Sequence, residues 1–129
     1  MIVFRSGGSK LDYHKQRLTI VDYEDEFLPG FRMYSAVGHR YDHDVLKIES
    51  AGKKLIHIAD GLLHPLFVAN RAWYFLHDFE PEQAIETKDW LLDSCASEQA
   101  LVFGTHFPFP GLGNFERRDD SWKWYPVKI

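Results

Sequence analysis

Three polar residues next to predicted strands have side chains that could bind a metal ion. His43 comes just before one predicted strand, Asp60 ends the next, and His106 follows a third. Loops at strand ends commonly carry binding and catalytic groups. Two imidazoles and a carboxylate suit zinc, and three protein ligands leave one coordination position open for water. The chain has 7 histidines, so composition alone also allows each of them a hydrogen-bonded or solvent-facing role.

The elements that must position these residues are mostly strands. Residue types predict strands at 17–23 and 31–37, separated by the turn signal Leu28-Pro29-Gly30. Period-two alternation predicts a hairpin of residues 43–49 and 54–59. After the irregular, aromatic segment 61–79, Pro81 begins an amphipathic helix that runs to about Glu98. A buried strand at 100–103 and a hairpin of 114–118 and 121–127 follow.

This order of elements predicts the fold class and the domain organisation. Strands, one main helix and further strands are typical of an α/β (α+β) structure, with the helix packed on one mostly antiparallel sheet. The 129 residues fit a single domain, 1–129. The lone cysteine, Cys95, lies in the predicted helix and is interpreted as a small core residue, not a nucleophile.

Composition and charge exclude several classes of partner. The net charge is −4 and no basic stripe is present, which argues against nucleic-acid binding. No apolar run is long enough to span a bilayer, so we expect no membrane association. The composition predicts a protein of the cytoplasm.

Three motifs occur in a characteristic order. They are Gly38-His39-Arg40-Tyr41-Asp42-His43, Ile58-Ala59-Asp60 and Gly104-Thr105-His106-Phe107-Pro108-Phe109-Pro110. They resemble the G-H-T-P-G-H, G-D and late metal-histidine motifs of metallo-β-lactamase-fold metal-dependent hydrolases, in the branch near methyl parathion hydrolase and the lactone hydrolases. The resemblance covers most of the chain. It implies the C-terminal half of an αββα sandwich.

The resemblance also implies roles for individual residues. His43 would bind the first metal ion, Asp60 would bridge both ions as the catalytic group, and His106 would bind the second. Three further residues would line the pocket or support the ligands by hydrogen bonding: His39, Asp42 and His64. Three histidines have no motif support and are interpreted as surface or packing residues: His14, His57 and His77.

The sequence departs from the family pattern in two places. Arg40, Tyr41 and Asp42 replace the Thr, Pro and Gly of the first motif. Nothing in residues 1–42 matches the family's H-x-H-x-D-H motif, which supplies further metal ligands. We therefore expect a hydrolase fragment that binds zinc weakly, or not at all, and is weakly active or inactive alone. The family reaction would be hydrolysis of an ester, lactone, thioester or phosphotriester.

Two alternatives remain open at this stage. One is a non-catalytic, oligomeric binding or assembly module derived from the fold. The other is an active enzyme whose missing ligands come from a partner chain, in which case it would act on a small-molecule substrate. Half a sandwich would leave one sheet face uncovered, with either Ile56 and Ile58 or Leu46 and Ile48 on it. This predicts a homodimer, unless segment 61–79 covers that face.

Overall fold

A computed structural model describes residues 19–129, which form one sheet and two helices. The seven strands are β1 (Glu26–Leu28), β2 (Phe31–Ser35), β3 (Asp44–Ser50), β4 (Lys53–His57), β5 (Leu101–Phe103), β6 (Leu112–Arg118) and β7 (Ser121–Pro126). The helices are α1 (Pro65–Ala69) and α2 (Pro81–Ser97). Within the sheet the strands lie in chain order. Strands β4 and β5 are parallel, and all other neighbouring pairs are antiparallel. The predicted fold class is confirmed.

Most predicted elements form close to their expected bounds, but the first does not. Of the strand predicted at 17–23, residues 17 and 18 lie outside the described range, and 19–23 is irregular. The Tyr23 hydroxyl donates to the Asp44 carboxylate at 2.7 Å, so this segment is held by a side chain and does not add a strand there. Strand β1 and helix α1 were not predicted. Helix α1 begins at Pro65, and the His64 side chain caps it.

Helix α2 covers one face of the sheet. Its residues Leu91, Leu92 and Cys95 are buried against strand residues such as Ile56 and Val102. Burial raises the pKa of the Cys95 thiol to about 12, so the thiol stays protonated and unreactive at neutral pH. This supports the interpretation of Cys95 as a core residue. No helix in residues 19–129 is long and apolar enough to cross a bilayer.

The opposite face of the sheet is not covered by either helix. Cross-strand partners place two largely apolar rows on it: Phe31, Ile48, Leu55 and Leu101, and beside them Met33, Leu46, His57, Phe103 and Leu112. We call these nine residues the open face. None of them is buried, whereas Ile56 and Ile58 are only 1% and 0% exposed. Of the two predicted possibilities, the uncovered face is therefore the one that carries Leu46 and Ile48.

Segment 61–79 packs on the helix side of the molecule. Arg71 forms a two-pronged ion pair with Asp89 of α2, at 2.8 and 2.6 Å. The buried ammonium group of Lys88 donates to the Trp73 carbonyl, and burial lowers the pKa of this lysine. These contacts attach the segment to α2.

Candidate metal centre

Asp60 and His106 meet at one end of the sheet. Strands β4 and β5 are parallel neighbours, so the loops that follow them emerge side by side. The His106 Nε2 donates to Asp60 Oδ1 at 2.8 Å. Asp60 is half-buried, and His106 is exposed. The structure thus brings these two predicted site residues into direct contact.

His39 approaches the other oxygen of the same carboxylate. Its Nε2 lies 3.7 Å from Asp60 Oδ2, too far for a hydrogen bond. Its Nδ1 donates to Asp78 Oδ1 at 2.8 Å, because a carboxylate oxygen can only accept. In the neutral ring, Nε2 would then carry the lone pair. It has no hydrogen-bond partner within residues 19–129.

His43 lies behind the site and does not face the Asp60 carboxylate. Its Nδ1 donates to the Ala36 carbonyl at 2.7 Å, and its Nε2 accepts from the Asp60 backbone N–H at 3.0 Å. The side chain is buried, and both ring nitrogens are occupied by backbone groups. His43 thus meets the backbone of Asp60, whereas His106 and His39 lie beside its carboxylate. The metal-ligand role predicted for His43 stays a prediction.

The period of the strand explains why His43 points toward the core. His43 stands two residues before Val45, whose side chain is buried on the face that α2 covers. Alternation along a strand places both on the same face, so His43 points toward the core. The loop between β2 and β3 leaves His39 free to turn toward Asp60. The three substituted motif positions, Arg40, Tyr41 and Asp42, are exposed.

The donors at this site are of the types that zinc prefers, but they are few. Each oxygen of the Asp60 carboxylate faces one imidazole nitrogen. Imidazole nitrogen and carboxylate oxygen are normal zinc ligands, and zinc usually has three or four protein ligands. Over 19–129, no group of three or more potential ligands is arranged to hold a metal ion.

Neither of the other predicted pocket residues, Asp42 and His64, forms a hydrogen bond with Asp60 in the part of the chain that the structure describes. Asp42 is exposed and forms no hydrogen bond to a histidine of the described range. His64 accepts from the Leu66 backbone N–H at the start of α1. His57 stacks on Phe103, and burial lowers its pKa. His77 is exposed, and His14 lies outside the described range.

Two groups at the site were not predicted. Asp78, which contacts His39, is separated from it by 39 positions, and no spacing rule connects them. The depression around Asp60 is also walled by Leu63 and Phe75, which lie in the segment interpreted only as irregular. The Phe75 ring lies 6.4 Å from the His39 ring. The depression therefore has an apolar side, formed by Leu63 and Phe75, next to the polar side chains of Asp60, His39 and His106.

The sheet, the main helix and the site loops form part of a metallo-β-lactamase fold, as solved structures show. AidC, a dizinc quorum-quenching lactonase, superposes with a TM-score of 0.83 and 25% identity, over 92% of this chain and 41% of its own. The hydrolase AbOPH of the β-lactamase superfamily superposes with a TM-score of 0.83 and 23% identity, over 92% of this chain and 42% of its own. A probable metal-dependent hydrolase from Staphylococcus aureus superposes with a TM-score of 0.65 and 21% identity, over 90% of this chain and 43% of its own.

These comparisons confirm the predicted resemblance to metallo-β-lactamase-fold hydrolases at the level of the fold. The chain spans about two fifths of the length of each of the three structures. No protein-family profile matches it, and no curated protein sequence does.

Proposed function

We propose that this chain provides part of a zinc-dependent hydrolase site, with His39, Asp60 and His106 as its metal-binding residues. The observation that carries this proposal is the placement of an imidazole nitrogen at each oxygen of the Asp60 carboxylate. His43 is assigned a structural role, because backbone groups occupy both of its nitrogens. The similar structure AidC is a dizinc lactonase, which supports zinc as the metal.

The residues around the site determine what it could bind. Zinc, when bound, supplies a hydroxide near neutral pH and polarises a carbonyl or phosphoryl oxygen. Leu63 and Phe75 offer an apolar surface beside Asp60 for the hydrocarbon part of a substrate. Such a wall suits a small ester, lactone, thioester or phosphotriester with an apolar substituent. Further ligands are needed before the metal ions are held firmly.

The second candidate is a non-catalytic, oligomeric binding or assembly module. It is favoured by the open face and by the small number of donors per ion. A zinc titration distinguishes the two candidates, because a non-catalytic module does not require a metal site. A third arrangement, in which another chain completes the ligand set, requires zinc binding to strengthen when that chain is present.

We expect zinc alone to bind weakly to the purified chain, through the three proposed residues. His39→Ala and His106→Ala should each lower the affinity by about tenfold or more, since each removes one of very few donors. Calorimetric titration with zinc measures this effect. His64→Ala is the matched control, because His64 is exposed and its side chain bonds the Leu66 N–H, not Asp60. Equal zinc affinity in all three variants would contradict the assignment.

We expect the isolated chain to show no appreciable zinc-stimulated hydrolysis. Two donors per ion cannot fix a metal pair, and catalysis depends on groups held in place before the reaction. Hydrolysis of a lactone, a thioester and a phosphotriester, each with and without zinc, tests this expectation. Zinc-dependent turnover that His106→Ala abolishes would contradict it and favour a complete site.

We also propose that a second copy of the chain covers the open face. The face is apolar apart from His57, and monomers rarely expose large contiguous apolar patches. A two-fold pair would bury it sheet against sheet, with a total interface of more than about 1,000 Å². Segment 61–79 is attached to α2 on the other side of the sheet.

Light scattering should therefore show a dimer at micromolar concentration. Ile48→Glu should give a monomer, because it places a charge in the centre of the open face. Glu49→Lys is the matched control: the next residue of β3 is exposed and points to the other face, so the dimer should persist. A monomeric wild-type chain would rule out this proposal.

A further inference from the structure

Of the nine residues that form the open face, His57 is the only one with a titratable side chain; the other eight are apolar. It stands in the middle of its row, opposite Leu46 of β3 on one side and Phe103 of β5 on the other. The His57 and Phe103 rings are stacked, with their centroids 5.0 Å apart and an angle of 27° between their planes. The imidazole therefore lies among apolar side chains and not at the rim of the face.

The His57 ring has a neutral hydrogen-bond partner. Its Nε2 lies 2.8 Å from the Thr105 hydroxyl oxygen, and a hydroxyl can either donate to the ring or accept from it. No ion pair within residues 19–129 involves His57. Burial lowers the pKa of His57, while Asp60 raises it and His43 lowers it through their charges. The ring is therefore neutral at neutral pH.

Few other charged groups lie on this side of the sheet near His57. Alternation along β3 and β4 places Asp44 and Lys53 on the same side, at the ends of their strands. The Asp44 carboxylate accepts from the Tyr23 hydroxyl at 2.7 Å, and Lys53 is exposed. Strand β5 presents only Leu101 and Phe103 to this side. A protonated His57 ring would therefore have no counter-ion in contact with it.

We propose that His57 makes the pairing of two copies through the open face dependent on pH, so that the pair is released in acid. This inference rests on the proposed dimer. Pairing would remove both His57 rings from water, and a charge is costly to bury in an apolar interface without a counter-ion. The ring therefore binds a proton more readily in the separate chains than in the pair. Acid then shifts the equilibrium toward the separate chains.

Sedimentation equilibrium of the whole chain, from about pH 7.5 down to about pH 4.5, measures the dissociation constant of the pair across the range in which a histidine titrates. The constant should stay level above about pH 6.5, the usual imidazole pKa. Below the pKa of His57 it should rise by up to about 100-fold per pH unit, because each dissociating pair takes up two protons. Circular dichroism at each pH establishes that the chain is folded.

Two variants of His57 and one control identify the group responsible. His57→Gln keeps a polar group beside Thr105, and His57→Leu completes the apolar row, so both should give dimers that lack the rise in acid. His77→Gln is the matched control, because His77 is exposed and lies in segment 61–79 on the helix side. It should keep the wild-type dependence on pH.

The outcomes distinguish the role of His57 from the dimer itself. A wild-type dimer with the same dissociation constant at both ends of the pH range would overturn the role of His57 and leave the dimer in place. A rise in acid that persists in both His57 variants would also overturn it, since another group would then be responsible. A chain that is monomeric at every pH would contradict the dimer, and with it the inference.

Discussion

Replacement of His43 by alanine should lower the free energy of unfolding by about 3 kcal/mol, because one buried and one partly buried backbone group lose their partners and the ring leaves a cavity. The Ala36 carbonyl and the Asp60 N–H are joined through this ring, at 2.7 and 3.0 Å. Each unsatisfied buried group costs about 1–3 kcal/mol, and the missing ring adds a cavity. Urea denaturation followed by circular dichroism measures the change.

The matched control for this prediction is His106→Ala. His106 also contacts Asp60, but its side chain is 51% exposed, so water replaces the lost hydrogen bond. We expect a change below about 1 kcal/mol in this control. Stability losses of equal size in the two variants would contradict the structural role assigned to His43. A partial recovery in His43→Gln, whose amide can donate and accept, would support it.

Replacement of Gly38 by alanine should destabilise the chain by about 3 kcal/mol or more and disrupt the site. Gly38 has φ +129°, a conformation that residues with a Cβ rarely adopt. An added Cβ would lie 2.4 Å from the Ala84 nitrogen in the first turns of α2, so the motif and the helix would have to separate. The Gly38 carbonyl also accepts from the Glu80 N–H at this junction.

Gly52→Ala distinguishes the two causes of the destabilisation, which are the positive φ angle and the steric clash with α2. Gly52 has φ +73°, but a Cβ there meets nothing within 4 Å. Only the backbone preference is lost, at a cost of about 1 kcal/mol. Chemical denaturation of both variants gives the difference, which measures the clash with α2. Equal effects at the two glycines would show that the motif and the helix are not as closely packed as described.

The sheet was predictable because its signals are local. Alternation of Leu46 and Ile48 with charged neighbours, and the return strand with Ile56, predict the β3–β4 hairpin. Pro81 correctly predicts the start of α2. Strand β1 could not be predicted in the same way, because it is three residues long and its register with β2 is irregular. Helix α1 has five residues, too few for a helical period to show.

The site was predictable where it depends on strand ends, and not where it depends on tertiary contacts. Asp60 and His106 follow adjacent parallel strands, so their proximity follows from the fold. The inward orientation of His43 follows from the strand face that its spacing from Val45 indicates. The contact of Asp78 with His39 joins two loops far apart in sequence, and no local pattern encodes it.

The parallel pairing of β4 with β5 has a consequence for how the chain folds. Hairpins form from neighbouring residues, but this pair must first close a long crossover that contains both helices, at a cost in chain entropy. His39 and Asp60 lie before the crossover ends, and His106 lies after it. The imidazole of His106 can therefore reach Asp60 only after the slowest topological step. Assembly of the proposed metal-binding residues should coincide with completion of the sheet, so a partly folded chain would present no preformed site.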